Sequence, residues 1–127
     1  MANAWVHSKS SAIKFGGDPN DYLEIHKKMD CSKAYFPNNA HRALTHNMFW
    51  VQEVMIPLFG YNITNSEGEE VCVKDICELH ILEDFAMKYI PSAQDYLEHL
   101  DFQDWMQNGM KGYPSSYKKI NEKNSKI

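Results

Sequence analysis

The chain has 127 residues, a formal charge of −4, and a composition that is 43% hydrophobic and 13% aromatic. That is the length of one domain with a single core, and it is too apolar for wholesale disorder. The acidic balance excludes a general nucleic-acid binder, which needs clustered Lys and Arg against phosphate.

Punctuation along the chain marks the elements. Phe15-Gly16-Gly17 ends a short first helix. Asp18 is placed as N-cap of a second, with Pro19 in its first turn and Asp21 near its positive end, and this helix is expected to run to about Met29. Asn38 and Asn39 offer caps for a long helix from Ala40 to about Phe59, bent or ended near Pro57 and stopped by Gly60. Two β-prone runs then flank Ser66-Glu67-Gly68-Glu69, which predicts a small hairpin. A helix from about Lys74 to Tyr89 follows, before Pro91. Ser92 and Asp95 form a capping box for a last helix that ends at Asn108-Gly109.

The fold class expected is therefore mainly α: a single-domain bundle of four to five helices over residues 1–109, with a small β-hairpin insertion. Residues 110–127 are polar, Lys-rich and aperiodic, which predicts a flexible tail. The start lacks the long apolar segment of a signal peptide, and no run approaches membrane-spanning length. Cys31, Cys72 and Cys77 cannot all pair and show no Cys-x-x-Cys spacing. A cytoplasmic protein with reduced thiols is expected.

Candidate site residues emerge as exceptions to the apolar pattern. The 40–59 helix is apolar almost all round, so it is expected to be wrapped by its neighbours. Arg42, His46 and Glu53 form a narrow polar stripe on it. On the 74–89 helix Glu83 falls in the stripe of Ile76, Leu79 and Ile90, one turn from His80. His46 and Glu53 from one helix, with His80 and Glu83 or Asp84 from the next, are placed to converge on a divalent transition metal. Imidazole with carboxylate suits Zn, Mn or Fe. The competing reading is a purely structural polar network, because buried polar groups must be satisfied in either case.

His41 points about 140° away from His46 on a regular helix, so the two share an ion only if the first turn is irregular or the ion sits beyond the helix end. Neither the zinc-protease spacing nor a pair of Glu-x-x-His motifs is present. His26 shares the face of Tyr22, Ile25 and Met29 and is expected to point inward. His7 shares a stripe with Ser11 and Lys14, which fits a solvated or anion-binding edge. His99 reads as a surface residue. Cys77 lies near His80 and Asp84 at helical spacing, a soft ligand or an inert buried thiol.

Six blocks follow one another: His7-Ser-Lys-Ser-Ser-Ala-Ile-Lys-Phe-Gly-Gly17, Asp21-Tyr-Leu-Glu-Ile-His26, Ser32-Lys-Ala34, His41-Arg-Ala-Leu-Thr-His46, the segment Phe59-Gly60 with Ile63-Thr-Asn-Ser-Glu-Gly68, and Glu78-Leu-His-Ile-Leu-Glu-Asp84. Over roughly residues 5–98 the chain resembles an uncharacterised family of short bacterial and phage proteins, a domain of unknown function with spaced His motifs. The resemblance implies that His7, His26, His41, Arg42, His46, Glu78, His80, Glu83 and Asp84 belong to a motif set. It implies no activity. Cys72 and Cys77 do not match the pattern, and a phage origin would place the protein in the host cytoplasm.

The function expected is a small metal-binding protein acting as a hydrolase on a phosphate ester or nucleotide. His41, His46, His80 and Asp84 would hold the metal, with Glu83 or Glu53 as general base. Arg42, His7 and His26 would meet the anionic substrate. The alternative is a non-enzymatic module that engages a host protein or sequesters a small anionic ligand.

Overall fold

A computed structural model describes residues 3–36, 39–92 and 94–95, which belong to one compact unit, Met1–Tyr96. Helix α1 (Ala4–Phe15) starts where the Asn3 side chain accepts the Val6 N–H and ends at Gly16. Its amphipathicity is inverted. His7, Ser8 and Ser11 are buried, whereas Ile13 is 88% exposed and Trp5 and Val6 also face outward. The sequence expectation of a solvated His7 edge is thus reversed, because α1 turns its polar stripe onto other polar side chains.

A capping box of Asp18 and Asp21 opens a 3-10 turn, Pro19–Asp21, and helix α2 (Leu23–Met29) follows. Gly17 (φ +80°) lies where a Cβ would come within 2.5 Å of Asp21 Oδ2 and 3.0 Å of Asn65 Cβ, so the position needs glycine for both angle and space. Asp21 Oδ2 also accepts the Ser66 N–H and hydroxyl, tying this turn to the hairpin loop.

The predicted 40–59 helix is broken. A 3-10 turn (Asn39–His41) leads into one turn of α3 (Arg42–Thr45), and the chain leaves helical geometry at His46. Asn47 causes the break: its Oδ1 accepts the Trp50 N–H, while its Nδ2 donates to the carbonyls of Ala43 and Leu44. One side chain thereby closes α3 and caps α4. Helix α4 spans 48–59 and contains a π-helical segment, Val51–Met55, in which Ile56 N–H donates to Val51 O. This widening stands directly before Pro57, whose ring clashes with the carbonyl four residues earlier in a regular helix. Only Val51 and Met55 of α4 are fully buried, and Phe49 is 67% exposed, so the helix is not wrapped all round as its composition suggested.

Strands β1 (Asn62–Thr64) and β2 (Glu70–Cys72) pair antiparallel with Ile63 opposite Val71, forming the predicted hairpin. Helix α5 (Val73–Asp84) follows and stops five residues short of the expected Tyr89. Phe85 N–H returns to Ile81 and Leu82 carbonyls, and Met87 N–H reaches Leu82 O across left-handed Ala86 and Met87. That closing bond is a Schellman-type stop made without glycine.

The fold is mainly helical, with these five helices and a two-stranded hairpin among the described residues. Tyr22, Ile25 and Met29 of the α2 region, Val51 and Met55 of α4, and Ile76, Cys77 and Ile81 of α5 meet in one apolar core. Among the described residues no helix is long and apolar enough to cross a membrane. The Ser92–Asp95 box forms as expected. The helix beyond it, His99, the 109–110 boundary and the Lys-rich tail lie outside the described residues.

Candidate metal centre

Helices α2 and α5 end at the same place, and both ends carry an aspartate. Asp30 is the C-cap of α2, and Asp84 is the last residue of α5. A carboxylate there opposes the partial negative charge of the helix C-terminus, so each needs a cationic or hydrogen-donating partner. The break at residues 46–47 delivers an imidazole there, because His46 leaves α3 directly toward Asp84.

Asp30 Oδ1, His46 Nε2, His80 Nε2 and Asp84 Oδ2 converge, all within 4.8 Å of one another. His46 Nε2 is 2.7 Å from Asp84 Oδ2 and 3.9 Å from Asp30 Oδ1. His80 Nε2 is 3.1 Å from Asp30 Oδ1 and 3.5 Å from Asp84 Oδ2. Donors about 2.1 Å from a tetrahedral metal stand about 3.4 Å apart, so these spacings bracket that figure. The two imidazole planes are inclined at 71°, which lets in-plane lone pairs aim at one point. The side chains of Asp30 and Asp84 are only 9% and 3% exposed, and those of both histidines are fully buried. These buried His and Asp groups could hold a metal ion.

A second group, His7, His26 and His80, is close in distance but not in direction. His7 lies flat on His80, with centroids 3.8 Å apart and planes at 23°. Stacked rings send their lone pairs sideways in parallel planes, so this trio does not form a coordination site. His26 instead meets His80 edge to edge, Nδ1 to Nδ1 at 2.8 Å, and its Nε2 meets Ser11 Oγ at 2.7 Å.

The surroundings tune these groups. Burial opposes ionisation of Asp84, but the close imidazole nitrogens of His46 and His7 and nearby imidazole charge outweigh it and hold the carboxyl well below the usual range. Burial likewise acts against the Asp30 carboxylate, and His80 and Lys33 overcome it, so its pKa is lowered. His80 is pushed down to about 4 and His26 to about 2, in both cases chiefly by burial. His7 moves the other way. Burial disfavours its charge, yet Asp84 and Glu83 outweigh that and raise its pKa. Its Nδ1 is 2.9 Å from Glu83 Oε1, while its Nε2 lies 3.2 Å from Asp84 Oδ1 without hydrogen-bond alignment.

Of the residues expected at a site, His46, His80 and Asp84 supply three of the four converging donors, and Glu83 and Arg42 stand beside them. Arg42 Nη2 is 3.8 Å from Asp84 Oδ1, and the guanidinium lies over the Phe85 ring. The first turn before His46 is indeed irregular, but His41 stands behind His46 rather than among the donors, with its Nδ1 on Ser32 Oγ. Glu53 is exposed on the π-helical segment. The break at Asn47 destroys the stripe that linked it to His46, so it is not part of the cluster. His7 and His26 are 1% and 0% exposed, too deep to meet a substrate directly as expected. Cys77 belongs to the apolar core, where burial pushes its thiol up to about 12, and it is no ligand.

Asp30 was not among the expected ligands. Its signal was present, four residues after inward-facing His26 and so on the same helical face. Ser11, Ser32 and Thr45 were also missed, because a buried hydroxyl has no pattern of its own in a sequence.

Neither a curated protein nor a solved structure matches this chain. A family model does match residues 2–106, most of its length, and the chain accordingly belongs to the family described as Domain of unknown function (DUF6915).

Proposed function

We propose that the protein binds a divalent transition metal ion through Asp30, His46, His80 and Asp84. The observation that supports this is the spacing of four buried donors from three chain segments at distances suited to one ion. Two imidazoles with two carboxylates suit Zn, Mn or Fe better than Mg or Ca, which favour all-oxygen shells. Each imidazole also has a partner on its other nitrogen, Thr45 Oγ1 for His46 and His26 Nδ1 for His80. Such partners orient metal-binding imidazoles.

The narrower reading is hydrolysis of a phosphate ester or nucleotide. It draws on Arg42 and Glu83, whose side chains are 13% and 22% exposed and flank Asp84 at the more open edge of the cluster. An ion held there would supply an activated water, for which Glu83 would be the proton acceptor, and Arg42 would meet the phosphate charge. A non-catalytic role, in which the ion fastens helix ends together, is favoured by the burial of the four donors, since a catalytic centre keeps a position open.

Elemental analysis of untagged protein tests the binding reading. About one equivalent of Zn, Mn or Fe is expected in the wild type and none in Asp84→Asn. Absence of metal from protein refolded with each of the three ions would end it. Turnover of a nucleotide and phosphomonoester panel, lost on chelation, then separates hydrolysis from a structural ion.

A further inference from the structure

The hydrogen bonds behind His46 can be counted proton by proton. Ser32 Oγ lies 3.0 Å from the His41 carbonyl, 2.9 Å from His41 Nδ1 and 3.2 Å from Thr45 Oγ1. Thr45 Oγ1 in turn lies 2.9 Å from His46 Nδ1. Ser32, His41, Thr45 and His46 are all buried, so a contact left without a proton is costly.

A carbonyl only accepts, so the single Ser32 proton goes to His41 O. The Ser32–Thr45 contact must then use the Thr45 proton. That leaves Thr45 unable to donate to His46, and the His46 Nδ1 contact must be filled from the ring. His41 Nδ1 supplies the remaining donor to Ser32. Every bond in the chain is made in this assignment, and in it His46 carries a proton on Nδ1.

We infer that Ser32 and Thr45 are positioning residues that fix His46 with its proton on Nδ1, turning Nε2 toward Asp84 as the donor for a cation. This deepens the metal-binding reading and rests on it for the identity of the cation, though not for the ring's proton. Nε2 stands 2.7 Å from Asp84 Oδ2, where two bare acceptors repel and a positive charge between them is favoured. The opposite wall reads in the other direction. Among the described residues the Ser11 hydroxyl has only His26 Nε2 as partner, so it donates there. His26 Nδ1–H then donates to His80 Nδ1, and His80 Nε2–H to Asp30. One imidazole of the centre is thus preset for an ion, and the other must exchange tautomers to receive it.

Two-bond proton–nitrogen NMR correlations on the ring of His46 in chelator-treated wild-type protein test the inference without metal. The expected result is a protonated Nδ1, and a bare Nδ1 would overturn the inference. Competition against a chromogenic zinc chelator gives the second readout. Thr45→Val keeps the shape but removes the acceptor for Nδ1–H, and zinc affinity is expected to fall 10- to 100-fold, about the cost of losing such a partner. Thr45→Ser should restore it. Unchanged affinity in a folded Thr45→Val protein would overturn the inference. A wild type that binds no metal yet shows the Nδ1 proton would sink the metal reading alone.

Discussion

His26 and His80 face each other through their Nδ1 atoms at 2.8 Å, with ring planes 20° apart and centroids 5.1 Å apart. Two nearly coplanar imidazoles in line share one proton, so one ring donates and the other accepts. Both rings resist charging chiefly because they are buried, and protonating both would in addition set two positive charges side by side.

Acid should therefore destabilise the metal-free protein. Free imidazoles take up protons near 6.5, whereas His80 does so near 4 and His26 near 2. Between those values the unfolded chain binds more protons than the folded one, so stability falls as pH drops below 6.5. The His80 contribution is fully lost near 4, and that of His26 continues to fall toward 2. At about 1.4 kcal/mol per unit, His80 alone accounts for roughly 3 kcal/mol. His7, with its raised pKa, has the opposite sign, and its contribution is lost as pH rises through its folded value. Urea melts in chelator at pH 7, 5.5 and 4.5 should show falling midpoints, and a flat series would contradict the assignment of neutral rings.

Ser11→Ala removes the hydroxyl that meets His26 Nε2 and leaves a buried ring nitrogen unpaired. A loss of about 1–3 kcal/mol is expected from that unpaired atom. Chemical denaturation of the metal-free variant measures it, and a change within error would mean that water or a shifted ring satisfies the site.

Asn47→Ala removes the side chain that closes α3 and caps α4. The expected cost is about 0.5–2 kcal/mol, the range for a lost N-cap. Because the same side chain fixes the bend at His46, metal affinity should weaken along with stability. Lower stability with unaltered affinity would show that the bend is held by other contacts.

Glu53→Ala is the contrasting case. The side chain is exposed and outside the cluster. Stability should stay within about 0.5 kcal/mol of wild type, as for most surface changes, and metal content should not change. Loss of metal in this variant would mean that Glu53 reaches the ion in solution.

Legibility in the sequence followed the type of signal. Gly16, Gly60 and Pro19 announced their boundaries because each restricts the backbone locally. The hairpin was readable from its turn, and the inward face of α2 from its period. The break at Asn47 was hidden because an asparagine inside an apolar run matters only when its side chain finds both helix ends. The early stop of α5 was hidden because Ala86 and Met87 take left-handed angles that their types do not favour. At the site, His46, His80 and Asp84 stood out as polar residues on otherwise apolar helices. Glu53 stands out for the same reason and misleads, since the break at Asn47 separates its helix from His46. The inverted α1 was unreadable, because its polar stripe is buried only by virtue of the histidines that other elements bring to it.

Anomalous diffraction from crystals grown with zinc tests the central claim most directly. The account predicts a peak about 2.0–2.2 Å from Asp30 Oδ1, His46 Nε2, His80 Nε2 and Asp84 Oδ2. A zinc-edge map with no peak among those four atoms, or with its peak on other residues, would contradict it.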